Sequence, residues 1–201
     1  MLSCTLICIL LFSGCSSNKP ATNTSIQEIL AKASSITSIK YDMVTTFLLN
    51  GTEKQNRNQT VWEKAPFMKI NASTGSQYQV FIQQPSGNYT NINGTHKFTK
   101  INGPFPGISV IKQATALRSN ITFRIVGNET FDGVATTLLQ YSTTQSGGST
   151  TTKLWIWDDK GIPIKTQVTV LMGSINFVTT TVIKNIDFSD IPDSEFSIVS
   201  V

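Results

Sequence analysis

The sequence predicts an α+β domain that is mostly β: one curved antiparallel sheet with two or three helices set in its concave face. Three observations predict it. Ile162, Ile164, Val168 and Val170 alternate with Pro163, Lys165, Gln167 and Thr169, the period-2 signature of a strand with one apolar face. Strand-like runs recur at short spacing between Gly, Pro, Asn and Asp turn signals with no helix between them, as in a meander. Two other stretches switch to helical spacing, and each then carries one apolar stripe to bury. About ten such strands curl rather than stay flat, and the economical place for amphipathic helices is inside the curl.

Ser25-Ile26-Gln27-Glu28 matches a capping box, with Glu28 reaching back to Ser25. Ile26, Ile29, Leu30 and Ala33 then recur at helical spacing to about Ser35. The period shifts to strand over Ile39–Leu49, and Asn50-Gly51 is a hairpin turn signal. Strands follow at Gln55–Lys64, Phe67–Ser73, Gln77–Gln83, Tyr89–Ile92 and Lys97–Ile101, separated by Pro66, Thr74-Gly75, Pro85-Ser86-Gly87 and Asn93-Gly94. After the loop Asn102–Gly107, the spacing of Ile108, Ile111, Ala114 and Leu117 predicts a second helix to Ser119. Strands resume at Ile121–Val126 and Val134–Thr143, joined through Phe131-Asp132-Gly133, and Gln145–Thr150 reads as a Gly/Ser loop. A long hairpin, Thr151–Ile183, turns at Asp158-Asp159-Lys160-Gly161, where the glycine supplies a positive φ.

The chain has 201 residues, room for one domain with a sizeable core. Only 14% of them are charged and the net charge is +4 with no basic cluster, which argues against a nucleic-acid partner. Cys4, Cys8 and Cys15 lie in the first fifteen residues. Leu2–Phe12 is an apolar run too short to span a bilayer, and Ser13-Gly14-Cys15 follows it. That pattern describes a signal peptide over 1–14, cut before a lipidated Cys15, although no Lys or Arg precedes the run. The competing reading is a plain secretory signal with an incidental cysteine. Residues 15–24 then form a flexible tether, and 25–201 the folded domain, held at a membrane surface by acyl groups. Cell membrane is the expected location, facing outside the cytoplasm.

Several segments resemble the LolA/LolB superfamily of envelope lipoprotein carriers and lipid-binding lipoproteins. Leu30–Ile36 followed by Tyr41–Phe47 is similar to the family's opening helix and first strand. Trp62-Glu63-Lys64-Ala65-Pro66-Phe67 resembles its W-x-K-x-P segment, Trp155–Ile164 its late hairpin, and Asp193-Ser194-Glu195-Phe196 its D-x-x-F ending. The order and spacing of these segments carry the match, over nearly all of the mature chain. The resemblance implies an incomplete β-barrel, plugged by helices around a hydrophobic cavity that takes acyl chains. Ala65 stands where the soluble carriers have an arginine before the proline, so the carriers' hand-over mechanism is not implied here. With Cys15, the chain looks more like the membrane-attached members, glycolipid-binding lipoproteins among them.

Candidates to line such a cavity are Met43, Phe47, Trp62, Phe67, Phe81, Ile111, Leu117, Trp155, Trp157 and Phe177. The alternative for each is an ordinary place in a filled core. Leu154 and Ile156 lie on one face of their strand and Trp155 and Trp157 on the other, so both faces need cover; one tryptophan is expected to face the helices. Catalytic chemistry is not expected. The one histidine, His96, sits in a turn, Asp158-Asp159 reads as a turn apex, and no P-loop or GxSxG pattern occurs. No cofactor is expected, nor a metal site, which one histidine and no mature cysteine could not build. Sequons at Asn23, Asn50, Asn58, Asn71, Asn88, Asn93, Asn120 and Asn128 are candidate N-glycosylation sites on an archaeal surface, and plain turn and strand residues in a bacterium. The expected protein is a monomeric envelope lipoprotein that carries or sorts a lipid or lipidated partner. The alternative is a structural or interaction lipoprotein with a filled core and no ligand.

Overall fold

A computed structural model of the chain describes residues 25–75, 77–92, 97–120, 123–145 and 147–198. The leader, Cys15, the tether, Asn23, Asn93 and His96 lie outside the described residues. The chain opens with α1 (Ile26–Ala31) and a 3-10 turn (Lys32–Ser35), then β1 (Ser38–Leu49), β2 (Thr52–Lys64), β3 (Phe67–Thr74), β4 (Gln77–Gln84), β5 (Gly87–Ile92) and β6 (Thr99–Ile101). Next come α2 (Val110–Asn120), β7 (Arg124–Phe131), β8 (Val134–Gln145), β9 (Gly148–Trp157), β10 (Pro163–Met172), β11 (Ile175–Asp187) and a second 3-10 turn (Asp193–Phe196). The capping box forms: the Glu28 amide donates to Ser25 Oγ at 3.3 Å, and the Ser25 amide to Glu28 Oε2 at 2.9 Å.

All the strands join one antiparallel sheet of eleven, in the order β6-β5-β4-β3-β2-β1-β11-β10-β9-β8-β7. The edges β6 and β7 are not paired to each other, so the sheet is open. Chain neighbours pair as hairpins; the exception is β1 with β11, which joins the two halves of the sheet. Asn50-Gly51 and Asp132-Gly133 both have positive φ (48° and 78°, 50° and 81°), the primed geometry that matches strand twist.

Both α-helices lie on one face. A single apolar cluster holds Ile29, Leu30 and Ala33 from α1 and its 3-10 extension, and Val110, Ala114 and Leu117 from α2. It also holds Phe81 of β4 on one wing and Leu139 of β8 on the other. Seven strand steps at about 4.8 Å would part β4 from β8 by roughly 34 Å in a flat sheet. Helices of six and eleven residues cannot bridge that, so the wings bend toward them.

Five expectations are corrected. Helix α2 begins at Val110 rather than Ile108, and two α-helices are present among the described residues, with no third. Strand β7 runs over Arg124–Phe131 rather than ending at Val126. Gly148–Thr150 is strand, not loop, because the β8–β9 pairing continues to Gln145 opposite Gly148. Finally, Thr151–Ile183 is three strands, not a two-stranded hairpin: the chain turns again at Gly173 (φ 58°) and β11 forms. The run Thr179-Thr180-Thr181 has no polarity contrast between faces, so it hides β11 from any periodicity argument.

Candidate functional site

Register decides which side chains share the helix-covered face. Tyr41 pairs with Val61, Met43 with Gln59 and Ile183, and Thr45 with Arg57 and Thr181. On the next strands, Thr166 lies opposite Thr181 and Leu154. These side chains point toward α1 and α2. The upper part of this face is closely packed: Ile39, Val61, Leu139, Ile156 and Ile162 are fully buried.

Lower on β1 and β11 the packing opens. A cavity of about 250 Å³ lies between α2 and the sheet, lined by Met43, Thr45, Arg57, Gln59, Thr181, Ile183 and Thr166. Pro106, Ile108, Val110 and Gln113 form its other wall, and Pro163 and Lys165 of β10 complete the lining. At about 30 Å³ per water-sized unit it has room for roughly eight such units, hence one acyl segment rather than several. Thr45 and Thr181 hydrogen-bond each other across the floor at 3.1 Å, so each hydroxyl has a partner there. Ile108 stands at the rim, 69% exposed.

The wall formed by α2 is held from below by a buried polar cluster. Glu63, 6% exposed, accepts a very short hydrogen bond from Ser109 Oγ. Ser109 in turn caps α2, its Oγ accepting from the Lys112 amide at 2.9 Å. Burial raises the Glu63 carboxyl above the ordinary range, offset in part by the bonds from Ser109 and the Val110 amide and by the nearby Lys112 charge. Burial, and secondarily the Glu63 charge, also raises the Tyr41 phenol. Glu63 Oε2 and Tyr41 Oη are buried without a partner. The loop before α2 lies tight on the sheet: Phe105 meets Phe81 edge-on at 6.4 Å, and a Cβ on Gly107 would overlap Ile70 and Phe105.

The candidate residues fall into three groups. Met43 lines the cavity, while Phe81, Ile111 and Leu117 belong to the main cluster or pack on it. Phe47 and Phe177 share the same face farther down, their rings 6.3 Å apart. Trp62 and Phe67 lie on the opposite face, in a separate cluster with Ile82, Ile191 and Phe196. There the W-x-K-x-P and D-x-x-F segments meet. Lys64 Nζ pairs with Asp190 at 3.1 Å and Asp193 at 3.0 Å, and Phe67 stacks on Phe196 at 5.4 Å. Ala65 is exposed in the turn beside them.

Alternation also puts Trp155 and Trp157 opposite Leu154 and Ile156, away from the helices; neither points to bulk solvent. Trp155 is 7% exposed, with Lys165 Nζ 4.1 Å over its ring and its Nε1 donating to Glu129. Trp157 packs on Phe188 at 5.8 Å and against the rim of the main cluster.

Arg57, Gln59, Thr45, Thr181 and Ile108 were not among the candidates. The signal that marks Arg57 and Gln59 is polarity on an inward register: they continue the face of Val61 and Glu63. A larger concavity of about 420 Å³ is lined by Asp42, Asn58, Thr60, Asn71 and Lys184 of the opposite face and reaches Met43 and Gln59. Bonds from Asn185 and Thr60 hold the Asp42 carboxyl below its usual range.

Neither a scan against protein-family models nor a search of curated proteins gives a match. Solved structures are similar in fold. MucB in its complex with MucA(peri) superposes with a TM-score of 0.51 at 16% identity, over 88% of this chain and 61% of that one. LprF from Mycobacterium bovis gives 0.49 at 16% identity, over 87% and 96%. A LolA superfamily protein from Nitrosomonas europaea gives 0.44 at 11% identity, over 86% and 97%. Of these, the likeness to MucB exceeds a TM-score of 0.5, and at 16% identity it is a likeness of fold.

Proposed function

We propose that this protein is a cell-envelope lipoprotein that takes an acyl chain of a lipid or lipidated partner into the cavity beneath α2, for carriage or sorting. One observation carries the reading: an open hollow of about 250 Å³ remains where an otherwise closely packed sheet face meets α2. Burying an acyl segment there gains roughly 25 cal/mol per Å². Anchoring through Cys15 places the cavity near a membrane, the source of such ligands. No helix among the described residues is long and apolar enough to cross a bilayer. We further propose that the protein binds rather than catalyses, and that it works as a monomer without metal or cofactor.

Uptake of a fluorescent fatty acid by the full chain carrying Cys15→Ala, so that no acyl group of its own competes, tests this reading. Saturable binding is expected, and Thr181→Phe should abolish it by filling the floor. No uptake, together with no co-purifying lipid in native mass spectrometry, would defeat the proposal. The second reading is then an interaction lipoprotein with a filled core. It draws on the full burial of Ile39, Val61, Leu139 and Ile156 and on the likeness to MucB, which was solved with a protein partner.

A further inference from the structure

Resting on the cavity proposed above as an acyl site, we infer that Arg57 selects its ligand: an acyl chain bearing an anionic carboxylate or phosphate head. Arg57 lines the cavity together with apolar Met43, Ile108, Val110 and Ile183. It is half-buried, and the ion pairs among the described residues all involve Lys64 or Lys69. A guanidinium on a cavity wall with no acid against it is an unused fork of donors, matched in shape to carboxylate and phosphate. Its strand neighbour Gln55 and the opposite Thr45 are uncharged, and Lys165, the other cation on the lining, holds its Nζ 4.1 Å over the Trp155 ring. Glu53, farther along β2, is engaged with Asn56, and Glu63 lies three inward positions away beneath α2, bonded to Ser109. Gln59 and Gln113, also on the lining, add amide donors beside it. Chain inward and head on Arg57 is the one orientation that satisfies both halves of the hollow.

The inference is tested by displacing the fluorescent fatty acid from the Cys15→Ala chain with decanoic acid, decyl phosphate and decanol. The chain without substitution at Arg57 is expected to bind the acid, the phosphate or both about tenfold tighter than the alcohol. That margin should shrink at high salt, since the site is only partly buried. Arg57→Gln should remove the margin between the anions and the alcohol; Arg57→Lys should restore part of it. Preference for the carboxylate alone points to a free fatty acid, and preference for the phosphate to a lipid headgroup. Equal binding of all three ligands would overturn the role of Arg57 and leave the acyl cavity standing. Binding of none would overturn both. Equal melting temperatures of the three chains exclude a folding defect.

Discussion

Gly161 closes the β9–β10 turn and sits directly under the N-terminal helix. Its φ is +71°, and a Cβ there would overlap the Ile29 carbonyl oxygen and stand 3.0 Å from the Ala33 amide nitrogen. Both atoms are backbone, so no side-chain rotation relieves the overlap. Its own amide donates to the Trp157 carbonyl at 2.7 Å, and Lys32 Nζ binds the Asp158 carbonyl at 2.6 Å. Turn and helix are therefore locked together from both sides. Gly161→Ala incurs about 1–2 kcal/mol for the left-handed backbone. Displacing packed backbone adds about 1–3 kcal/mol by analogy with overpacking, for a total of about 3 kcal/mol. In a domain of this size that lowers Tm by about 6–12 °C. Gly173→Ala is the matched control: φ is +58° and nothing lies within 4 Å, so only the backbone cost of about 1 kcal/mol applies. Calorimetry of the two variants reads the difference. Because α1 packs on α2, Gly161→Ala should also speed ligand release from the cavity. Equal Tm losses in the two variants would refute the claim that the turn abuts α1.

Other predictions follow from single contacts. The Glu63 carboxyl is raised in the folded state, so its contribution is full below the ordinary glutamate range and is lost as pH rises through the raised value. Glu63→Gln should flatten that decline in pH-dependent denaturation while leaving the acid limb unchanged. That limb belongs to Asp42 and Asp187, both lowered in the fold by hydrogen bonds, whose contributions are lost as pH falls below the usual aspartate range. Ser25→Ala removes the capping box and should cost about 1 kcal/mol, seen as a small drop in urea midpoint at constant m-value. Ile156→Ala, in a fully buried site, should cost about 2–5 kcal/mol by the same assay.

Motif resemblance was legible without an account of what it does. The W-x-K-x-P and D-x-x-F segments are far apart in sequence, and the structure shows why both occur. Lys64 and Phe67 receive Asp193 and Phe196 on the outer face, tying the last turn across the β2–β3 hairpin. Trp62 joins this cluster, with Lys40 and Lys69 over its ring at 5.3 and 4.9 Å. It serves the tail, not the cavity. The cavity itself was only half legible: Met43 was marked by its hydrophobicity, whereas Arg57 and Gln59 were passed over because their polarity reads as exposure.

Local features were determined by the sequence alone. The capping box at Ser25, the Asn50-Gly51 and Asp132-Gly133 turns, and the bounds of most strands depend on neighbours within a few residues, and those neighbours are on the page. What the tertiary structure decided is which face is inside and which strands meet across the sheet. Period-2 alternation sorts Leu154 and Ile156 from Trp155 and Trp157, but both pairs are apolar, so alternation cannot say which pair meets the helices. The β1–β11 pairing joins residues more than a hundred positions apart, through threonines that look alike on both faces. That pairing unites the two halves of the sheet, and the packing of α2 on the united face sets the volume left beneath it and puts Arg57 on its wall.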